Sequence, residues 1–299
     1  MTIPTRSGLP PLHLLLALAV MAVWGTNFVV IKLALEHFPP LTLAALRFAF
    51  AFLPLALFIK RPAVSWSNLA GYGVLIGAGQ FGLLFTAMRS DISPGLASLV
   101  VQIQVFFTIG LSMRLSGERV APYQLVAMVL AAGGLGTIIL KTDGSATPLG
   151  LGLVVVAALC WALGNMIARA AGPINMLAYV VWSSAFAVPP LLLFALLTEG
   201  WPSIAAGVAA ADTTSWASVL WQSVGNTMFG YAAWGWLLAR HPAATVAPLA
   251  LLVPVFGLGA SALLLGETLP DWKLAAFALV MGGLALGLLW PRLSRRIKP

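Results

Sequence analysis

Apolar runs of about twenty residues, broken by short polar joints, fill almost the whole chain. An α-helix rises about 1.5 Å per residue, so about 20 apolar residues cross the ~30 Å of a bilayer's hydrocarbon. Cutting at turn and charge signals predicts ten helices, over 12–34, 41–59, 69–88, 94–113, 121–140, 149–170, 176–197, 216–238, 243–265 and 272–290. The joints carry the expected punctuation: Pro39-Pro40, Lys60-Arg61-Pro62, Ser93-Pro94-Gly95, Gly117-Glu118-Arg119, Asp143-Gly144, Gly172-Pro173, Arg240-His241-Pro242 and Gly266-Glu267. Only the connection from Glu199 to Ser215 exceeds a tight turn. Arg6 precedes the first run, but no small-residue cleavage site follows it, so that run reads as a spanning helix rather than a cleaved leader.

The pattern repeats. Trp24-Gly-Thr-Asn27-Phe-Val-Val-Ile-Lys32 is echoed by Trp161-Ala-Leu-Gly-Asn165-Met-Ile-Ala-Arg169, with a basic residue eight positions past each Trp. Sliding residues 107–135 onto 256–284 gives 12 identities in 29 positions, against roughly three expected by chance, so the chain is a duplicated unit. The repeat offset grows from 137 to 149 across the Glu199–Ser215 connection, which places a 12-residue excess there.

Composition turns these helices into membrane spans. Hydrophobic residues make up 61% of the chain and charged residues 8%, which no soluble fold of this length could solvate. The net charge of +8 sits in joints and in the C-terminal tail, so it reports topology rather than a nucleic-acid partner. With a cytoplasmic N-terminus, the inner segments hold Arg6, Lys60, Arg61, Arg114, Arg119, Arg169, Arg240, Arg292, Arg295, Arg296 and Lys298. The outer ones hold Lys32, Arg89, Lys141 and Lys273. Eleven against four places both termini inside. Five helices per repeat is an odd number, so the second copy must be inverted, an architecture typical of secondary transporters with a midplane site between the halves. The expected plan is an all-α polytopic membrane protein: an N-terminal tail over 1–11, a five-helix repeat over 12–140, a linker over 141–148, an inverted repeat over 149–290 and a basic tail over 291–299.

Candidate chemistry follows from what lies at depth. Cys160 alone within an apolar run implies neither a disulfide nor a metal site, and no cofactor is expected. Trp24 and Trp161 lie about 12 residues into their helices, whereas membrane tryptophans favour the interfaces, so they are candidates for a cavity wall or an aromatic packing layer. Trp182, Tyr179, Tyr231, Trp234 and Trp236 are further candidates, and Tyr231 and Trp234 share a helix face. Asn27, Gln80, Gln102, Gln104, Asn165, Gln222 and Asn226 cannot face lipid, so each faces protein or a wet cavity. Gln102 and Gln104 point to different faces, and Gln102, nearer mid-helix, is preferred. The substrate-binding set is therefore Trp24, Asn27, Gln80, Gln102, Trp161, Asn165, Trp182, Tyr231 and Trp234.

The charges bear on mechanism. All eight acids, Glu36, Asp91, Glu118, Asp143, Glu199, Asp212, Glu267 and Asp271, map to turns or helix ends, as do His13, His37 and His241. Proton-coupled carriers commonly use a buried carboxylate, so facilitated diffusion is favoured. Arg47, about six residues or ~9 Å below the outer end of its helix, reads first as snorkelling or bonded within the protein, and second as a partner for a substrate carboxylate. Lys32 reads as a helix-end charge. Glu118 and Glu267 recur at opposite faces, which suits capping of the next helix or latching of a gate. Pro248 and Pro254 break helix 9, where they can free backbone carbonyls, whereas Pro54, Pro189 and Pro190 read as kinks. Gly73 with Gly77, and Gly283 with Gly287, suit close helix approach. Gly133-Gly134 and Gly282-Gly283 read as structural contacts, with a dimer face as the alternative.

Several stretches carry a family likeness: Trp24 to Lys32, Pro39-Pro-Leu-Thr-Leu-Ala-Ala-Leu-Arg47-Phe48, Gly95-Leu-Ala-Ser-Leu-Val-Val-Gln102-Ile-Gln104, Gly230-Tyr231-Ala-Ala-Trp234-Gly235 and Val246-Ala-Pro-Leu-Ala-Leu-Leu-Val-Pro254-Val255. Together they resemble the ten-helix EamA branch of the drug/metabolite transporter superfamily, most of all bacterial exporters of cysteine and O-acetylserine and, similarly, of aromatic amino acids. The resemblance implies a bacterial inner-membrane protein with a central cavity between two five-helix EamA repeats, and helices 5 and 10 at the periphery. It also implies export of amino acids or related metabolites. The expected partners are a small-molecule substrate and membrane lipid, with a monomeric or weakly dimeric protein. A proton-coupled antiporter and an uptake permease remain the alternatives within transport. An intramembrane enzyme would need a buried nucleophile with a base, a carboxylate pair or metal ligands, and no midplane His, Asp or Glu supplies one.

Overall fold

The computed structural model describes residues 9–116, 122–141, 143–241 and 246–297. Arg6, Gly117, Glu118, Arg119, Pro242 and Lys298 lie outside the described residues, as do the side chains of Arg292, Arg295 and Arg296. Eleven helical segments follow one another: α1 (Pro11–Ala34), α2 (Pro40–Ala56), α3 (Trp66–Ser90), α4, α5 (Pro122–Lys141), α6 (Pro148–Ala170), α7 (Met176–Thr198), α8 (Trp201–Ala210), α9, α10 and α11 (Asp271–Ile297). α4 runs from Pro94–Val100 through a 3-10 turn, Val101–Ile103, into Gln104–Ser116. α9 joins Thr213–Leu220, a π segment Trp221–Phe229 and Gly230–Arg240. α10 opens with a 3-10 turn, Ala247–Leu251, and continues as Leu252–Leu265. Among the described residues no strand forms, only an isolated antiparallel bridge between Ile92 and Ala146.

Local chemistry explains the boundaries. Ser65, Ser93, Thr147, Asn175 and Asp212 each accept a backbone N–H in the first turn of the helix that follows. Gly200 and Gly266 take positive φ, 76° and 67°, as the chain leaves α7 and α10, Gly266 in the left-handed conformation. Six described helices, including α1, α3 and α5–α7, are long and apolar enough to cross a membrane, and Pro40–Ala56, Trp201–Ala210 and Leu249–Leu265 are shorter apolar helices. The Glu199–Ser215 connection, expected to exceed a tight turn, contains α8. Its apolar Trp201 and Val208 are exposed.

Helices pair across the middle of the chain. α1 packs on α10 and α4 on α6, α2 packs on α7, and α5 packs on α11. Small residues set the closest approaches. A Cβ on Gly25 would lie 2.6 Å from the Val253 carbonyl oxygen, and one on Gly134 would lie 2.9 Å from that of Ala276. One on Gly283 would lie 2.6 Å from the carbonyl of Ala127, so Gly134 and Gly283 serve the α5–α11 contact within the chain. Cys160 packs where Gly79 leaves room for its Sγ. Outside the pair, α5 exposes Leu125, Val129 and Leu140.

The two ends of the bundle differ. At one, Glu199 Oε1 accepts from Leu41 N (2.6 Å), while its Oε2 accepts from Thr42 N (3.1 Å) and Thr42 Oγ1 (2.7 Å). This carboxylate caps α2 from the far end of α7. Glu267 does the same for α4: it accepts from Ser93 Oγ (2.5 Å) and Gly95 N (3.0 Å), and also from Ser261 Oγ and from Lys273 Nζ (3.1 Å). Glu267 thus caps a helix of the other half rather than the next helix. Lys32 Nζ at this end donates to the Met88 and Arg89 carbonyls, where the α3 dipole is negative. The opposite end is held by His13 Nδ1 and His241 Nε2 at 2.7 Å.

Candidate functional site

Between the halves, α2, α3, α7 and α9 enclose a small cavity lined by Arg47, Phe48, Tyr72, Gly73, Ile76, Phe81, Val180, Ser183, Ser184, Thr227 and Tyr231. Its walls are close because α3 and α7 nearly touch. A Cβ on Gly73 would sit 2.1 Å from the Ser183 carbonyl oxygen, and one on Gly77 would sit 2.1 Å from Ala187 Cβ. Both helices that carry the cavity's tyrosines contain a π segment, Leu75–Gly82 in α3 and Trp221–Phe229 in α9. A π turn widens the helix and displaces carbonyls from their ordinary partners, and such turns concentrate at functional sites. In α9 side chains take up the carbonyls: Thr227 Oγ1 donates to that of Gln222 at 2.9 Å, and the Trp24 indole N–H donates to that of Asn226 at 3.2 Å.

Arg47 dominates the electrostatics. It is 1% exposed, so it does not snorkel; instead its Nη2 donates to Asn226 Oδ1 at 2.9 Å and its guanidinium carbon lies 3.7 Å from the Phe81 ring centroid. Its Nε and Nη1 have no hydrogen-bond partner, and the described acids all lie at turns or helix ends. The backbone beneath it is fixed by Ser223 Oγ, which donates to the Arg47 carbonyl at 3.0 Å. Tyr72 and Tyr231 both line the cavity. Nearby in α9, Gln222 is fully buried with neither amide atom partnered, and Asn27 Oδ1 in α1 is also unpartnered.

The structure gathers some of the predicted residues. Tyr231 lines the cavity, and Trp24 stands behind it, with ring centroids 5.6 Å from both Tyr231 and Trp234. Gly230 makes room for that indole, since a Cβ there would lie 2.2 Å from Trp24 Nε1. Asn165 Nδ2 donates to Gln104 Oε1 at 3.1 Å, so Gln104, set aside in favour of Gln102, is the residue Asn165 meets. Gln80 and Gln102 are buried, and Trp161 packs half-buried against the core. Trp182 is held elsewhere, donating to the Ile59 carbonyl at 2.9 Å and packing edge-on against Phe52. Sequence reasoning did not single out Tyr72, Ser183, Ser184 or Thr227. The adjacent hydroxyls of Ser183-Ser184 within an apolar run were the available signal. Among the described residues no group of three or more His, Cys, Asp or Glu could hold a metal ion.

Comparison with known proteins places this geometry. The sequence model of the EamA-like transporter family matches residues 11–140 and again 148–289. A protein of Salmonella typhimurium named probable amino-acid metabolite efflux pump is 42% identical over 286 residues, covering 94% of this chain and 96% of its own. One of the same name from Escherichia coli (strain K12) is 38% identical over 292 residues, covering 95% and 97%. A solved crystal structure superposes with a TM-score of 0.64 at 19% identity, over 96% of this chain and 99% of the other, a likeness of fold.

Proposed function

The chain belongs to the EamA-like transporter family, and on that premise we propose that it exports amino acids and related small metabolites across a bacterial inner membrane. The observation that carries the reading is the cavity shared by α2 and α3 of the first half and α7 and α9 of the second. A ligand there touches both halves, so a rocking of one half against the other exposes it to alternate sides. In this reading ten spans form two inverted five-helix repeats, with α8 as an additional short helix and both termini cytoplasmic. The pairing of α1 with α10 and of α4 with α6 supports it, because these two contacts exchange under a two-fold relation between repeats.

Tyr231, Trp24 and Trp234 supply the aromatic side of the site, and the Tyr72 hydroxyl and the Oγ lone pairs of Ser183, Ser184 and Thr227, whose protons go to helix carbonyls, supply its polar side. Asn165 with Gln104 forms a second polar pair, behind Gly164, whose Cβ position faces Ile76 and Tyr72. The described carboxylates sit at the ends of the bundle, which supports movement down the substrate gradient rather than proton coupling.

The test is the filling of proteoliposomes containing the purified protein with a panel of labelled neutral amino acids, with and without an imposed pH gradient. Equilibration at a rate indifferent to pH supports a uniporter whose direction is set by the gradient. Accumulation above equilibrium that requires the pH gradient overturns uniport in favour of proton-coupled antiport or uptake.

A further inference from the structure

The unmatched charge on Arg47 is the most unusual feature of the bundle. A guanidinium offers five N–H donors and cannot shed its proton. Here it is removed from water, receives one neutral acceptor from Asn226 and the ring faces of Phe81 and Phe48, and keeps Nε and Nη1 free in a residue that lines the cavity. An uncompensated buried charge is costly, and among the described residues no carboxylate relieves it. Asn226 and Ser223 lock the residue in place from α9, through the side chain and the backbone respectively. The group is thus preorganised, desolvated and unsatisfied, the combination that favours an anionic ligand over a neutral one.

We propose that Arg47 is the carboxylate anchor of the transport site. The transported species is then a carboxylate-bearing small molecule whose carboxylate accepts from the N–H groups that Arg47 leaves unpaired. The cavity lining adds the hydroxyls of Tyr72 and Tyr231, while those of Ser183, Ser184 and Thr227, which donate to carbonyls of their own helices, keep lone pairs that accept from the remainder of the molecule. Amides and decarboxylated amines of the same side chain lack the anion and leave the guanidinium unpaired. The proposal rests on the reading of this cavity as a transport site and deepens it by naming the chemical group that the site selects.

The experiment compares L-leucine, L-leucinamide and isoamylamine as competitors of labelled leucine exchange in proteoliposomes, first with the native protein and then with Arg47→Lys and Arg47→Gln. The native protein is expected to prefer leucine over both competitors by about 30-fold or more. Arg47→Gln is expected to lose that preference, and Arg47→Lys to retain part of it. Equal competition by the amide and the acid on the native protein overturns the anchor while leaving transport intact. So does an Arg47→Gln protein that exchanges leucine with native affinity and selectivity. If the variants do not fold, as judged by size-exclusion profile, the native competition series decides alone. Absence of exchange for leucine and for every other amino acid of the neutral panel overturns the transport reading, and the anchor with it.

Discussion

Glu267 offers the sharpest test of how the two halves are held. Its carboxylate accepts from Ser93, Gly95, Ser261 and Lys273, and Lys273 is 1% exposed. Glu267→Ala removes the acceptor for all four donors and strands a buried ammonium, whose one other acceptor is the Thr268 carbonyl at 3.0 Å. Removing one partner of a buried ion pair costs about 3–5 kcal/mol, most of it from the charge left behind. Lys273→Met leaves the carboxylate three donors and is expected to cost about 1–2 kcal/mol. The double variant loses the stranded charge, so the cycle should show a coupling of about 2 kcal/mol. Reversible unfolding by sodium dodecyl sulfate in mixed micelles, followed by tryptophan fluorescence, measures all three. Burial pushes the Glu267 carboxyl up, but the hydrogen bonds from Ser261, Ser93 and Lys273 outweigh it and hold the group below the usual range. Its contribution is therefore fully present above the unfolded value of about 4.3 and is lost as pH falls through the lower folded value. The cost of Glu267→Ala should accordingly be flat between pH 6 and 8. A cost under 1 kcal/mol, or strict additivity in the double variant, would refute the reasoning.

Three further outcomes are expected. Glu199→Ala uncaps α2 and should cost about 1–2 kcal/mol in the same unfolding assay, with Glu199→Gln milder. Gly73→Val must push α3 from α7 by roughly 1 Å, because its Cβ alone would meet the Ser183 carbonyl at 2.1 Å; proteoliposome exchange should fall at least tenfold, or the protein should lose its monodisperse profile. Gln104→Ala and Asn165→Ala should each cost about 1 kcal/mol and, combined, little more than either alone, since they share one hydrogen bond.

The helices were legible because a bilayer demands length and apolarity, and both are written linearly. The run expected over 149–170 forms Pro148–Ala170, and the one over 176–197 forms Met176–Thr198. The site was less legible, because depth can be counted along a chain whereas facing cannot. Arg47 has a depth from sequence, yet only the fold turns it onto Phe81 and Asn226 instead of the surface. That Asn165 meets Gln104 rather than Gln102 has a local cause. A 3-10 turn over Val101–Ile103 advances the register by about 120° per residue rather than about 100°, so face assignments that assume an unbroken α-helix drift across it. The π segments leave no compositional mark at all. Glu199 could be placed only at a helix end from sequence, because its partners, the α2 amides, are 157 and 158 residues away.

The paired carboxylate caps have a physiological consequence. Both acids come from the second half, both plug helix starts of the first, and they do so at the same end. In the conformation described these caps hold that end closed, so an idle carrier resting there does not short-circuit the ion gradients of the cell that houses it, and alternating access must break them before the site opens on that side. Loss of either acid would then be felt first as a leak, in the membrane potential and in growth, before any deficit in export could be measured.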